Sequence, residues 1–408
     1  MSIGKRRYMK KQSNAPQIRF QNFEDEWVKQ SLGKTVEIIM GQSPDSKNYT
    51  DNPNDYILVQ GNADMQNGRV VPRVWTTQIT KLAEKGNLIL SVRAPVGDIG
   101  KTDYNVVLGR GVAAIKGNEF LFQLLTKMKQ SHYWAKFSTG STFESINSDD
   151  IKSAEIYLPS IEEQSAIGSL FRTLDDLLAS YKDNLANYQS LKANMLSKMF
   201  PKVGQTVPEI RLAGFEVEWE KVKLKDVTES IEYGLNASAK EFDGENKYIR
   251  ITDIDDVSRK FKEDSITSPD INVSECDNYL LCEKDILFAR TGASVGKTYL
   301  YDIKDGKVYF AGFLIRARIK EKFDSKFIFQ NTLTDRFTQY VKVTSQRSGQ
   351  PGVNGKEYGE YELYLPKYEE QQAIGAYFSN LDNLIAAHQE KISQLETLKK
   401  KLLQDMFI

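Results

Sequence analysis

Few residues in this chain have the type and spacing that covalent chemistry needs. The run ASVGKT, residues 293–298, ends like the loops that cradle phosphate with backbone N–H groups and a lysine. A P-loop needs another glycine five positions before Gly296, where Thr291 stands, and Gly292 is one residue too close, so ATP binding is not expected. The two histidines, His132 and His388, and the two cysteines, Cys276 and Cys282, show no triad, disulfide or zinc-site spacing. No glycine-rich dinucleotide loop and no Asn/Asp-Pro-Pro-aromatic methylase motif occurs, and Pro44-Asp45 and Pro269-Asp270 lack the Glu-x-Lys that would follow in a metal-dependent nuclease. The acidic pairs Glu162-Glu163 and Glu369-Glu370 open predicted helices, where negative charge favours the N-terminal dipole. No catalytic and no metal-ligating residue is therefore nominated.

Two kinds of loop remain. Arg93 to Lys101 and Arg290 to Lys297 are glycine-flanked and basic, which suits phosphate contact, although a framework turn with solvated charges explains them equally. STGSTFESIN (residues 138–147) and SQRSGQPGVN (residues 345–354) are rich in Ser, Thr, Gln and Arg. They suit hydrogen bonds to base edges or phosphates, or are simply solvent loops.

The elements that position these loops come in two copies. A chain of 408 residues is expected to hold at least two folded units. PQIRFQNFEDEW from Pro16 returns as PEIRLAGFEVEW from Pro208, and LILSVRAPVGDIGKT from Leu88 returns as DILFARTGASVGKT from Asp285. YLPSIEEQSAIG from Tyr157 returns as YLPKYEEQQAIG from Tyr364, matching at nine of twelve positions. Three blocks in the same order at a slowly drifting offset indicate a duplication with diverged contents between framework blocks.

Within each copy, short β-rich runs such as YILVQ, NLILSV and VAAI predict a mixed α+β domain. Each copy then ends in about 40 residues with a three-four apolar alternation. The first stripe runs through Ile167, Phe171, Leu174, Leu177, Leu178, Tyr181, Leu191 and Met199, and the second through Ile374, Phe378, Leu384, Ile385, His388, Leu398 and Met406. This predicts two long antiparallel helices forming a coiled-coil spacer between two homologous globular domains, pseudo-twofold symmetric, with His388 packed on the seam and Ile408 near Pro16. The expected boundaries are a basic tail 1–15, a domain 16–158, a helix and link 159–207, a second domain 208–365 and a second helix 366–408.

Composition narrows the class further. With 40% hydrophobic and 27% charged residues the chain is neither disordered nor rich in apolar runs long enough to span a membrane, and its basic N-terminus lacks a secretory apolar stretch, so a cytoplasmic location is the default. Basic and acidic residues balance at 55 each, so any nucleic-acid footprint must come from clustered charge.

Taken together, LPSIEEQ (residues 158–164), LPKYEEQ (residues 365–371), RTGASVGK (residues 290–297) and the two diverged domains resemble the specificity subunit of a type I restriction-modification system. The resemblance covers residues 16–408. It implies that each domain is a target-recognition domain reading one half-site of an asymmetric bipartite duplex DNA target, with the helices fixing the unread spacer. It also implies that catalysis belongs to partners: two methylation subunits using S-adenosylmethionine, and motor-nuclease subunits using ATP and magnesium. On this reading Arg93, Lys101, Arg290 and Lys297 contact phosphates. Gln42, Ser43, Gln346, Arg347, Ser348 and Gln350 lie near bases, Gln42 and Ser43 belonging to GQSP, which resembles a family Gly-x-Thr/Ser-Pro element, with Gly234-Leu235-Asn236 in its place in the second half. The alternatives are a recognition subunit serving a fused methylase-nuclease of another restriction type, a coiled-coil scaffold without enzymatic function, and a nucleotide-hydrolysing enzyme.

Overall fold

The computed structural model describes residues 14–137, 144–346 and 349–408, so most of the basic tail lies outside the described residues. The chain forms two compact units, one of residues 1–180 with 392–408 and the other of residues 181–391.

In the first unit the apolar runs become central strands. Leu88–Ser91 lies between Val112–Ile115 and Ile99–Lys101 in a six-stranded sheet, and Val106–Leu108 runs parallel to Tyr56–Val59 in a five-stranded one. All four residues of Leu88–Ser91 and of Val112–Ile115 are buried, as near-continuous apolar strands must be when both faces are covered. The helix Glu119–Gln130 starts where the Asn118 side chain accepts the Leu121 N–H at 3.0 Å.

The second unit repeats this skeleton. Asp285–Ala289 lies between Leu314–Ile319 and Thr298–Leu300, and Lys247–Ile249 runs parallel to Val308–Phe310. In both units an antiparallel pair feeds the long helix: Val28–Ser31 with Glu155–Leu158, and Glu220–Lys223 with Glu362–Leu365.

The repeated motifs are the fasteners of this frame. Arg19 of the first block donates from Nε and Nη2 to the two carboxylate oxygens of Glu163, both at 2.7 Å, and Arg211 does the same to Glu370. Glu163 and Glu370 are each 1% exposed. The next residue turns back on the helix start: Gln164 donates to the Pro159 carbonyl at 3.0 Å and Gln371 to the Pro366 carbonyl at 2.9 Å. Only Glu162 and Glu369 keep the exposed position that a dipole role requires, while the second acid of each pair is a buried ion-pair partner.

Ile161–Lys198 and Tyr368–Asp405 are helices of 38 residues each. Their pairing is antiparallel within each unit. In the first, Phe171 meets Phe407 at 5.7 Å and Asp175 meets Lys399 at 2.5 Å. In the second, Tyr188 meets His388 at 5.1 Å, Lys192 meets Asp382 at 2.6 Å and Phe200 meets Phe378 at 5.9 Å. His388 is packed on the seam as expected, with Nδ1–H donating to the Leu384 carbonyl at 2.9 Å. The chain end also falls where duplication predicts, since Ile18 N–H donates to the Asp405 carbonyl at 2.9 Å.

The apolar stripe is narrower than its sequence suggests. Leu177, Leu191, Leu384 and Leu398 are exposed, because a two-helix layer covers one seam and leaves the stripe's flanks to solvent. Among the described residues no helix is long and apolar enough to cross a membrane.

Candidate functional site

Within the first unit, four loops converge at the end of the central strands. Gly41 N–H donates to the Val112 carbonyl, and a Cβ on Gly41 would stand 2.0 Å from the Gly109 carbonyl oxygen. A Cβ on Gly111 would stand 2.1 Å from the Gln60 carbonyl oxygen, so only glycine permits either approach. Ser43 Oγ accepts the Arg110 N–H at 3.0 Å, which ties the loop after Gly41 to the turn between Gly109 and Gly111. The result is a polar cleft of about 290 Å³ whose walls include Ser43, Gln60, Asn62, Ser91, Arg93 and Arg110. Arg93 and Arg110 are exposed. Two guanidiniums over hydroxyl and amide groups make a surface able to bind phosphate and base edges.

The cleft gathers two expected site residues, Ser43 and Arg93, and adds Arg110, Gln60 and Asn62, which the sequence reading missed. The available signal was Gly-Arg-Gly at residues 109–111, an arginine between two glycines that allow close backbone approach. Gln42 is exposed beside the cleft, with its N–H donating to the Leu108 carbonyl at 2.9 Å.

Lys101 is elsewhere. It is ion-paired to Glu119 with its ammonium 5.5 Å from the Phe122 ring centroid, and Arg172 reaches the same carboxylate at 3.5 Å. Lys297 is likewise internal: only 7% exposed, it pairs with Asp256 and donates to the Ile254 carbonyl at 3.2 Å. Neither lysine is a free surface cation, and both brace the frame behind the loops.

The sequence match that paired these residues is itself out of register. Ser91 N–H donates to the Asp98 carbonyl at 2.7 Å and Ala289 N–H to the Lys297 carbonyl at 2.8 Å. The Val92 carbonyl accepts from Ile146 N–H at 3.0 Å and the Arg290 carbonyl from Val353 N–H at 2.9 Å. Lys297 thus stands where the first unit has Asp98, and Arg290 where it has Val92. Gly41 and Gly234 do correspond, because Gly234 N–H donates to the Leu314 carbonyl and a Cβ there would meet the Ala311 carbonyl oxygen at 2.2 Å.

In the second unit Arg290 lies just beyond Asp285–Ala289, with its guanidinium carbon 5.1 Å from the Tyr233 ring centroid and 5.9 Å from that of Phe313. The Pro351 carbonyl accepts the Gly292 N–H at 3.0 Å, which brings the loop bearing Gln346 and Gln350 against the Arg290 turn. Both glutamines are exposed; Arg347 and Ser348 lie outside the described residues. Tyr233 and Phe313 are further residues that sequence reading missed. Nearby, burial pushes the pKa of Arg259 below its ordinary value against the pull of Asp256 and Asp255. Among the described residues no group of three or more His, Cys, Asp or Glu is placed to hold a metal ion.

Comparison with known proteins gives this pair of loop-bearing units a family. The model of the type I restriction modification DNA specificity domain matches twice, at residues 24–213 and 216–397. The chain is 31% identical over 181 residues to the MjaX type I restriction enzyme specificity subunit of Methanocaldococcus jannaschii, covering 42% of this chain and 42% of that protein. It is 24% identical over 296 residues to the MjaVIII specificity subunit of the same organism, covering 70% and 68%. The matched segment is thus under half of the first relative's length and about two thirds of the second's. In fold it is similar to the type I restriction-modification S subunit from M. genitalium, with a TM-score of 0.66 at 15% identity over 97% of this chain and 99% of that one. A chain from a structure of the complex assembly and conformational transition of the type I R-M system aligns with a TM-score of 0.51 at 17% identity, over 94% and 98%. With both halves matched, the chain belongs to the type I restriction-modification DNA specificity family.

Proposed function

We propose that this chain is the non-catalytic recognition subunit of a type I restriction-modification complex, each unit reading one half of an asymmetric bipartite duplex DNA target. The observation that carries this reading is one framework used twice with unlike residues on corresponding turns: Ser43, Arg93 and Arg110 in one unit, and Asn236, Arg290 and Phe313 in the other. Unlike loops on like frames give unlike half-sites.

The long helices set the number of unread base pairs, and their exposed leucines, Leu177, Leu191, Leu384 and Leu398, offer apolar docking surface to two methylation subunits. Adenine methylation with S-adenosylmethionine, and DNA translocation and cleavage with ATP and magnesium, belong to the methylation and motor-nuclease chains. The balanced charge of 55 basic and 55 acidic residues fits this division, with partner subunits supplying part of the phosphate neutralisation.

The test is single-molecule methylation sequencing of DNA from a host that differs only by carrying this gene with its methylation subunit. A new bipartite adenine-methylation motif that disappears on deleting the gene is expected. Absence of any motif, with both proteins expressed and assembled, overturns the reading.

A further inference from the structure

We propose that Arg290 reads a guanine in the half-site of the second unit, its guanidinium donating two hydrogen bonds to O6 and N7 in the major groove. The proposal rests on the DNA-recognition reading above and adds a residue and a base to it.

Arg290 N–H donates to the Phe313 carbonyl at 3.1 Å and its own carbonyl accepts the Val353 N–H, so the residue is fixed from both sides before its side chain is considered. The side chain is then held by two aromatic rings, Tyr233 and Phe313, at 5.1 and 5.9 Å from the guanidinium carbon. Tyr233 is itself anchored, its hydroxyl accepting the Gly355 N–H at 3.0 Å. Both rings face solvent, Phe313 being 61% exposed. Large aromatic surface left in water around a cation is a cost that a stacking or groove-bound partner removes.

Arg290 differs in its charge environment from the arginines of the adjoining strand. On the neighbouring strand, Arg316 is neutralised by Glu232, and Arg318 by Asp285 at 2.8 Å. Among the described residues no carboxylate lies within ion-pair distance of Arg290, and its buried Nε has no hydrogen-bond acceptor. With Nε covered, recognition falls to the two terminal Nη groups of a planar fork.

A phosphate needs only a positive charge within reach, for which a flexible side chain suffices. A planar fork with two parallel donors suits the two acceptors on one edge of guanine. A second planar group stands alongside: Gln350 Nε2 would lie 3.1 Å from a Cβ built on Gly292, whose φ is +76°. An amide there suits a neighbouring base pair.

The experiment is methylation sequencing with the full chain assembled with its methylation subunit, comparing the parent with Arg290→Lys, Arg290→Ala and Phe313→Ala. Arg290→Lys keeps the charge and removes the fork. The expected result is that both Arg290 variants lose discrimination, by roughly 5- to 150-fold, at a single G·C pair of one half-site, with all other positions and the second half-site unchanged. Phe313→Ala, which frees the fork, relaxes the same position less. If Arg290→Lys keeps the parental motif while Arg290→Ala weakens modification evenly at every site, Arg290 is a phosphate contact and the proposal is overturned. Should Arg290→Ala fail to assemble, Arg290→Lys still decides between the two. No motif with the parent chain overturns the DNA-recognition reading and this proposal with it.

Discussion

The two bidentate pairs Arg19–Glu163 and Arg211–Glu370 show how a motif acquires meaning from its distant partner. Each joins residues 144 or 159 positions apart, with a carboxylate that solvent does not reach. Removing one partner strands a buried charge, so Glu163→Ala or Arg19→Ala is expected to destabilise its unit by about 3–5 kcal/mol, measured by urea denaturation. Replacing both by apolar residues of similar size is expected to recover much of that loss, because the cost lies in the unpaired ion more than in the missing attraction. The acidic pair and the arginine were both visible in the sequence as repeats. Their contact was not, since nothing local in either segment specifies the other.

Elements give the recurring glycines and aspartates their roles. Gly41 and Gly234 let a loop cross a neighbouring turn where any side chain would collide with a carbonyl oxygen at 2.0 or 2.2 Å. Gly41→Ala is expected to cost about 1–3 kcal/mol and to displace Ser43 from Arg110, so that methylation fails at one half-site while the other is still read, as sequencing would show. The long helices are tied to their units through one aspartate each. Asp175 accepts from Gln123 at 2.9 Å and Lys399 at 2.5 Å, and Asp382 from Gln330 at 3.0 Å and Lys192 at 2.6 Å. Asp382→Ala leaves the buried Gln330 amide without that acceptor and is expected to destabilise the second unit by about 1–3 kcal/mol, seen as faster hydrogen exchange in residues 325–331 and 374–391. Helix length and type were legible from the three-four alternation. Which leucines the pair would cover was not, because periodicity marks a stripe and only the number of neighbours decides how wide a stripe is buried.

The whole molecule is modular, built of two compact units. Replacing residues 208–365 by the corresponding domain of another family member is expected to change one half of the methylated motif and leave the other intact. A change in both halves would sink the modular reading. The free chain, with no net charge, is expected to bind target DNA weakly and with a shallow dependence on salt, and the assembled complex tightly and with a steep one. Fluorescence anisotropy across a salt series checks both, and tight binding by the free chain at physiological salt would contradict the shared-neutralisation account.

From the sequence alone one could establish the duplication, the α+β character of each copy, the two long helices and the family resemblance, because these rest on local periodicity and on blocks that recur in order. It also brought Ser43, Arg93 and Arg290 forward as residues for a recognition surface. Tertiary structure decided which charges are available. Lys101 and Lys297 carry the same positive charge in the sequence as Arg93 and Arg290, yet Glu119 and Asp256 neutralise them. It also decided register, giving Lys297 the position that Asp98 holds in the other copy and Arg290 the position of Val92, through backbone hydrogen bonds that ignore the shared Gly-Lys-Thr. The physical reason is the same in both cases: a side chain's exposure and charge partners are set by contacts between segments far apart in sequence, and these form only when the strands pair.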